Sequence, residues 1–459
     1  MSRWVAWSMA ALLLSSCHRH AKPELTEPTA APPPAAAEPI PASVEDEPAP
    51  RAKGARPATS KERAVVDELV RAAESVRQLR LRRPVRIEIE DGNAIAASLR
   101  EQIEEDELER ARIVYGALGL LDADQDLRSM FAGVLGEQVI GYYDPETGRL
   151  VIREDVMSAL TGTPGAEETQ EARLVLVHEL VHALQDQRLG LGESYQKDRT
   201  ADADNGFRAV VEGDATLAML AHALRQQGIP LSAATAGIQQ MGNYLDLNAL
   251  VRGEKLDDAP AILRVTLIAP YLRGLQFIAA VQARGGWPAV NNAHRRPPVS
   301  SEQVLHPERY FAREPAESVA VLDSPQVLAA GFERAADDTL GELELGVYLG
   351  QRRKSGTDEE AAEGWAGDQL AVYARGDELA VVWWTTWDTE EDGEEAYRAA
   401  RSVAVNSPTE RVERKGRSVL IVRGLPPKLH RTVRSEFTTF ARAIKAQPPP
   451  PLLPPNPVY

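Results

Sequence analysis

The sequence predicts an α+β protein, a mainly helical unit with a small antiparallel sheet followed by a smaller α+β unit. Three observations lead there. Between residues 61 and 283, long stretches repeat apolar residues at helical spacing. Residues 139–155, VIGYYDPETGRLVIRED, place two β-rich runs around Asp144-Pro145-Glu146-Thr147-Gly148, the turn chemistry of a hairpin. Near residue 340 the texture changes, and residues 369–388, QLAVYARGDELAVVWWTTWD, read as a second hairpin turning at Gly376-Asp377.

The N-terminus sets an expected compartment. Arg3 precedes an apolar run at 5–14 that is too short to cross a bilayer, the form of an export signal. Leu14-Ser15-Ser16-Cys17 resembles a bacterial lipobox, whose cysteine becomes the lipidated first residue of the mature chain. Cys17 is also the only cysteine, so no intramolecular disulfide can form. The expectation is an exported bacterial lipoprotein, held to a membrane through Cys17, in the periplasm or at the cell surface. Residues 18–60 are rich in Pro, Ala and Glu and read as a disordered tether, with a second Pro-rich tail at 447–459. The span between them is expected to divide into units 61–335 and 336–446. No segment after the signal reads as long and apolar enough to cross a membrane. The formal net charge of -16 argues against nucleic acid as a partner, since phosphate binding needs a basic footprint.

In chain order, 61–80 has helical periodicity. VRIEIE at 85–90 alternates apolar and charged residues, as a strand with one buried face does. Helical pattern covers 93–121 with a break, and 124–135 reads as a further short helix. After the first hairpin, 167–188 forms a long helix whose middle is apolar on every face except at His178, Glu179 and His182. Helices are expected at about 202–227 and within 232–283, then a Gly/Pro-rich loop, GGWPAVNNAHRRPP, at 285–298. In the second unit, a helix at 390–402, strands near 412 and 419 and a helix at 430–444 complete an antiparallel α+β unit.

The chemistry concentrates at His178-Glu179-Leu180-Val181-His182. Histidines four apart on a helix share one face, one turn apart, and can bind one Zn2+ ion. Glu179 then stands beside the water that the ion activates and takes its proton as general base. Burying these three groups without a metal would be costly. A helical run at 207–220, FRAVVEGDATLAML, is interrupted by Glu212, a buried carboxylate in want of a partner, which an ion pair with Arg208 one turn earlier would supply. Gly213 permits a close approach, read here as one toward the HExxH helix.

With its preceding hairpin, VLVHELVHALQDQ resembles the zincin clan of metallopeptidases. The resemblance implies a catalytic domain in 61–335 that hydrolyses a peptide or protein substrate, with a strand of the hairpin as the edge on which extended substrate pairs. Gln185 and Arg188 stand where a metzincin has Gly and His, which leaves the gluzincin-like arrangement with Glu212 as third ligand. Glu212-Gly213-Asp214 replaces the usual Glu-x-x-x-Asp, and Asp214 is a candidate partner of a ligand histidine. The same chain, through VEGDAT, GGWPAVN, PPVSSEQVLHPERY, GWAGDQ and TTWD, also resembles a group of uncharacterised bacterial zincin-like proteins. That likeness implies that the segment after Gly285 borders the active site. It makes His306 the first candidate for the oxyanion donor, with Tyr310 and His294 behind it and a capping or packing role for His306 as the alternative. Two alternatives stay open: an amidase acting on peptidoglycan, and a non-catalytic envelope lipoprotein that uses its zincin-like domain for binding.

Overall fold

The computed structural model describes residues 54–446, except 104, 123, 131–138, 163–166, 196–198, 242–258, 321–322 and 405–406. The signal, Cys17, most of the tether and the tail lie outside the described residues. The helix expected at 124–135 is described only as far as residue 130. The fold is mixed α/β with two small sheets.

β1 (Arg56–Pro57) and α1 (Ser60–Arg77) begin inside or at the end of the segment read as tether. Thr59 and Glu62 form a reciprocal capping box, and Arg56 pairs with Glu62 at 2.9 Å, which ties the chain down there. β2 (Arg86–Glu90), α2 (Gly92–Gln102), α3 (Glu105–Leu118), β3 (Gly141–Asp144) and β4 (Arg149–Arg153) follow. The sheet order is β1-β2-β4-β3. β2 runs parallel to β4, while the β1–β2 and β3–β4 pairs are antiparallel. The sheet is therefore mixed, not antiparallel as expected. The segment between β2 and β3 supplies the crossover that a parallel pair requires.

β2 also departs from its expected single buried face. Ile87 and Ile89 enter the main core, but Glu88 and Glu90 are buried as well. Glu88 is held by Arg86 at 2.6 Å and Arg149 at 2.9 Å. On the sheet's second face, Ile95 and Leu99 of α2 pack with Tyr142 and Val151.

The remaining helices of this unit are α4 (Glu154–Thr161), α5 (Glu167–Leu189), α6 (Leu191–Tyr195), α7 (Ala201–Gln226), α8 (Leu231–Met241), α9 (Ala261–Arg295), α10 (Ser301–Leu305) and α11 (Pro307–Ala312), while α12 (Pro325–Ala329) packs through Val327 into the core of the second unit. α5 lies in the core against α1, α7 and β3. α7 and α9 cross with their backbones in contact. A Cβ on Gly213 would lie 2.2 Å from the Gly274 carbonyl carbon, and one on Gly274 would lie 2.4 Å from the Ala209 oxygen. Gly213 thus admits α9, not the HExxH helix.

α9 corrects two expectations. Its backbone leaves helical geometry only at Gly285 and Gly286, the latter at φ 63°, and helix then resumes to Arg295. Most of the expected loop at 285–298 is therefore helix, with Pro288 in its first turn, where a missing N–H costs nothing. Trp287, Val290 and Ala293 enter the core from this part. By length and composition α9 is also apolar enough to cross a membrane, yet 67% of its most apolar window is buried within the fold.

The second sheet comprises β5 (Glu333–Asp338), β6 (Trp365–Arg375), β7 (Glu378–Trp387), β8 (Arg411–Lys415) and β9 (Ser418–Arg423), in the order β5-β6-β7-β9-β8, all antiparallel. The β6–β7 hairpin turns at Gly376-Asp377. α13 (Gly341–Leu349), α14 (Glu359–Ala362) and α15 (Glu390–Val403) cover one face, and α16 (Pro427–Ala446) the other. β5 spans the expected boundary at 335/336. α3 joins this unit's core through Val114, Ala117 and Leu118, so the two units share a packed seam.

Candidate metal centre

Three atoms from two helices converge in the core. His178 Nε2 and His182 Nε2, on successive turns of α5, are 3.0 Å apart. Glu212 Oε2, from α7, lies 3.1 Å from the first and 3.5 Å from the second. A tetrahedral ion with ligands at about 2.0–2.1 Å separates its ligand atoms by roughly 3.3–3.4 Å. The spacing matches that set. Glu212 therefore turns to the histidines, and Arg208 pairs instead with Asp204 at 2.6 Å. Among the described residues, His178, Glu179 and His182 are the cluster of potential metal-holding side chains with atoms in mutual reach. Glu212 completes it by the distances above.

The chemistry of the donor set agrees with the spacing. His178, Glu179 and Glu212 are at most 1% exposed and His182 is 5% exposed. Glu179 Oε1, Glu212 Oε1 and His178 Nδ1 are buried without a hydrogen-bond partner. So many unsatisfied polar atoms in one core site are costly unless a ligand completes them. The residues present fit Zn2+: two imidazoles, a carboxylate and a neighbouring second carboxylate.

Electrostatics without the ion follow from burial and contact. Burial pushes the Glu179 carboxyl up to about 8, against the pull of His182 and the Tyr143 N–H. Burial works to raise Glu212 too, but His182 and His178 outweigh it and hold Glu212 down at about 2. Burial opposes charge on both histidines. It lowers His178, whereas at His182 the Glu212 carboxylate prevails and lifts the ring to about 9.

Glu179 is aimed by the sheet. Its Oε2 accepts the backbone N–H of Tyr143 at 3.0 Å. β3 is the outer strand of the hairpin, so the edge beside the HExxH helix is Gly141–Asp144. Tyr143 also donates its hydroxyl to Asp186 Oδ2 at 2.8 Å, which pins β3 to α5. Tyr142 is a sheet residue whose hydroxyl meets Ser98.

His306 is not brought to this cluster. It ends α10, and its Nε2 is 2.9 Å from Glu342 Oε1, on a cavity of about 430 Å³ lined also by Arg273, Leu343 and Glu363. Tyr310 donates to the Arg296 carbonyl, and His294 Nε2 meets Asp214 Oδ2 at 2.8 Å. None of the three is hydrogen-bonded to His178, Glu179, His182 or Glu212. The segment after Gly285 does approach the centre, through His294 and Asp214. Sequence reading missed Gln185, Arg77 and Tyr271. Tyr271 of α9 stacks on His178, with centroids 5.9 Å apart at 23°. Gln185 had a signal, since it stands three residues after His182 on the same helix face.

A family model described as a domain of unknown function, DUF8575, matches residues 326–443, the second unit and not the His178–Glu179–His182 cluster. No curated protein and no solved structure matches this chain.

Proposed function

We propose that this chain is a zinc-dependent metallopeptidase with a zincin-like, gluzincin-type centre, exported as a lipoprotein and acting on peptide or protein substrates in the cell envelope or outside it. The observation that carries the reading is the convergence of His178 Nε2, His182 Nε2 and Glu212 Oε2 beside an unpartnered Glu179 oxygen. Zinc held by His178, His182 and Glu212 would supply Lewis acidity and bring a water's pKa toward neutrality. Glu179 accepts and holds the proton at Oε1 while the Tyr143 N–H fixes Oε2. β3 is the outermost strand of its sheet, the position at which an extended peptide would pair in this reading. His306, engaged with Glu342, is left without a catalytic role in this reading.

The test uses the detergent-solubilised full chain loaded with Zn2+ and a mixed peptide library that includes cross-linked muropeptides, read by mass spectrometry with and without chelator. Chelator-sensitive cleavage is expected. Glu179→Gln should retain its zinc and lose roughly 10²–10⁴-fold in turnover, because an amide cannot take the proton. A native rate in that variant would overturn the general-base assignment. A second reading, a metal that only holds the fold, draws on the near-complete burial of the ligands. It requires bound zinc with no cleavage by the wild type of any library member.

A further inference from the structure

Behind His182 lies a chain of buried polar groups that the proposed hydrolysis does not use directly. Gln185 Nε2 donates to Asp214 Oδ2 at 2.9 Å and to the Val211 carbonyl at 3.0 Å. Both partners are acceptors, so the amide nitrogen must face them and the orientation of the amide is chemically determined. Gln185 Oε1 is therefore the atom 2.9 Å from His182 Nδ1. An amide oxygen only accepts. His182 must then carry a proton on Nδ1, which leaves Nε2 as the atom offered beside His178 and Glu212.

Asp214 is itself clamped. Arg77 Nε lies 2.6 Å from its Oδ1, and His294 Nε2 lies 2.8 Å from its Oδ2. Arg77 in turn donates to Asn291 Oδ1 at 2.6 Å and sits over the Trp287 ring. Arg77, Gln185 and Asp214 have no exposed surface. The desolvation of such an ion pair largely cancels its attraction, so stability alone is a weak reason for it. His178 has no equivalent support, because its Nδ1 is buried without a partner.

We infer that Gln185 is a positioning residue that sets the ring orientation and tautomer of His182, and that Asp214, clamped by Arg77 and His294, orients Gln185. The inference rests on the metal-centre reading above.

The experiment measures Zn2+ affinity of the full chain by competition with a chromophoric chelator, alongside thermal melting. Gln185→Leu should weaken binding about 10–100-fold, the usual effect of losing a ligand's supporting partner. Gln185→Glu sets a carboxylate against Asp214 and the Val211 carbonyl and should bind more weakly still. Adding Asp214→Asn to Gln185→Glu restores a donor facing an acceptor, and should recover about tenfold over Gln185→Glu alone. A purely structural role lowers melting temperatures without that recovery in zinc affinity. Gln185→Leu binding zinc within about threefold of wild type would overturn the proposal. A wild type that binds no zinc fails the metal-centre reading instead, which is a distinct result. Where the variants do not fold, 15N-histidine spectra of the zinc-loaded wild type decide. Coordination of His182 through Nε2 with a proton on Nδ1 supports the inference, and coordination through Nδ1 overturns it.

Discussion

Helix α7 carries buried carboxylates in two settings, and they behave oppositely. In its middle, Glu212 and Asp214 are each 1% exposed or less, and both are held ionised. Burial works against the charge at both. It is outweighed by His182 and His178 at Glu212, and by Arg77 and His294 at Asp214. In the first turn, Asp202 is equally buried but meets only neutral donors, the Ser301 N–H and hydroxyl at 2.6 Å each. Burial prevails there and pushes Asp202 up to about 8. Its neighbours at the seam between the two units follow it. Glu344, held by Asn205 and Tyr115, is pushed up to about 8. Asp368, receiving Trp365, Trp383 and two backbone N–H groups, is pushed up to about 6. Depth of burial is the same in both settings. The partners decide whether a buried carboxylate is held as an anion or pushed toward its neutral form.

The largest effect that sharpens this contrast is on zinc uptake. Glu212 raises His182 to about 9, so an incoming ion must displace a proton from the ring. Zinc affinity of the metal-free chain should rise about tenfold per pH unit from pH 6 and level off near pH 9. A flat profile, read by chelator competition, would contradict the pairing of His182 with Glu212. Next is Gly213→Ala. Its Cβ cannot fit against Gly274, so α7 and α9 must separate, costing about 1–3 kcal/mol and carrying Glu212 out of place. Melting and zinc titration should both fall, and a native result in both would rule out the close crossing.

The smallest effect belongs to the seam. Asp202 is raised above its unfolded value, so its contribution to stability is complete below about pH 4 and is lost as pH rises to about 8. Glu212 has the opposite sign, with a contribution present above the ordinary carboxylate range and lost as pH falls toward 2. Asp202→Asn keeps the acceptor for Ser301 and removes the ionisation. It should stabilise the chain at pH 8 by on the order of 1 kcal/mol, with little change at pH 4 and none in zinc affinity. Denaturation at the two pH values checks this, and equal effects at both would show that Asp202 is already ionised.

What was legible in the sequence was local. The HExxH spacing, the hairpin turns at Asp144–Gly148 and Gly376-Asp377, and a lone Glu212 in an apolar run each declare themselves within a few residues. What was hidden depends on distant partners. The parallel β2–β4 pair joins strands some sixty residues apart, so alternation in β2 revealed neither its direction nor the Arg149 that lets Glu88 be buried. Gly285-Gly286-Trp287-Pro288 has the composition of a loop, but it is one break followed by a helix N-terminus. His306 lay in a suggestive segment, and nothing nearby in sequence announced Glu342 as its partner. Arg77, Gln185, Asp214 and His294 come from four separate helical segments, and only folding assembles them.

The most direct test of the proposed zinc site is the zinc content of the full chain and its Glu212→Ala variant, purified and dialysed identically and measured by elemental analysis. One zinc per wild-type chain is expected, with most of it lost in Glu212→Ala while the helical signal by circular dichroism persists. A wild type without zinc, or a variant that keeps its full complement, would contradict it.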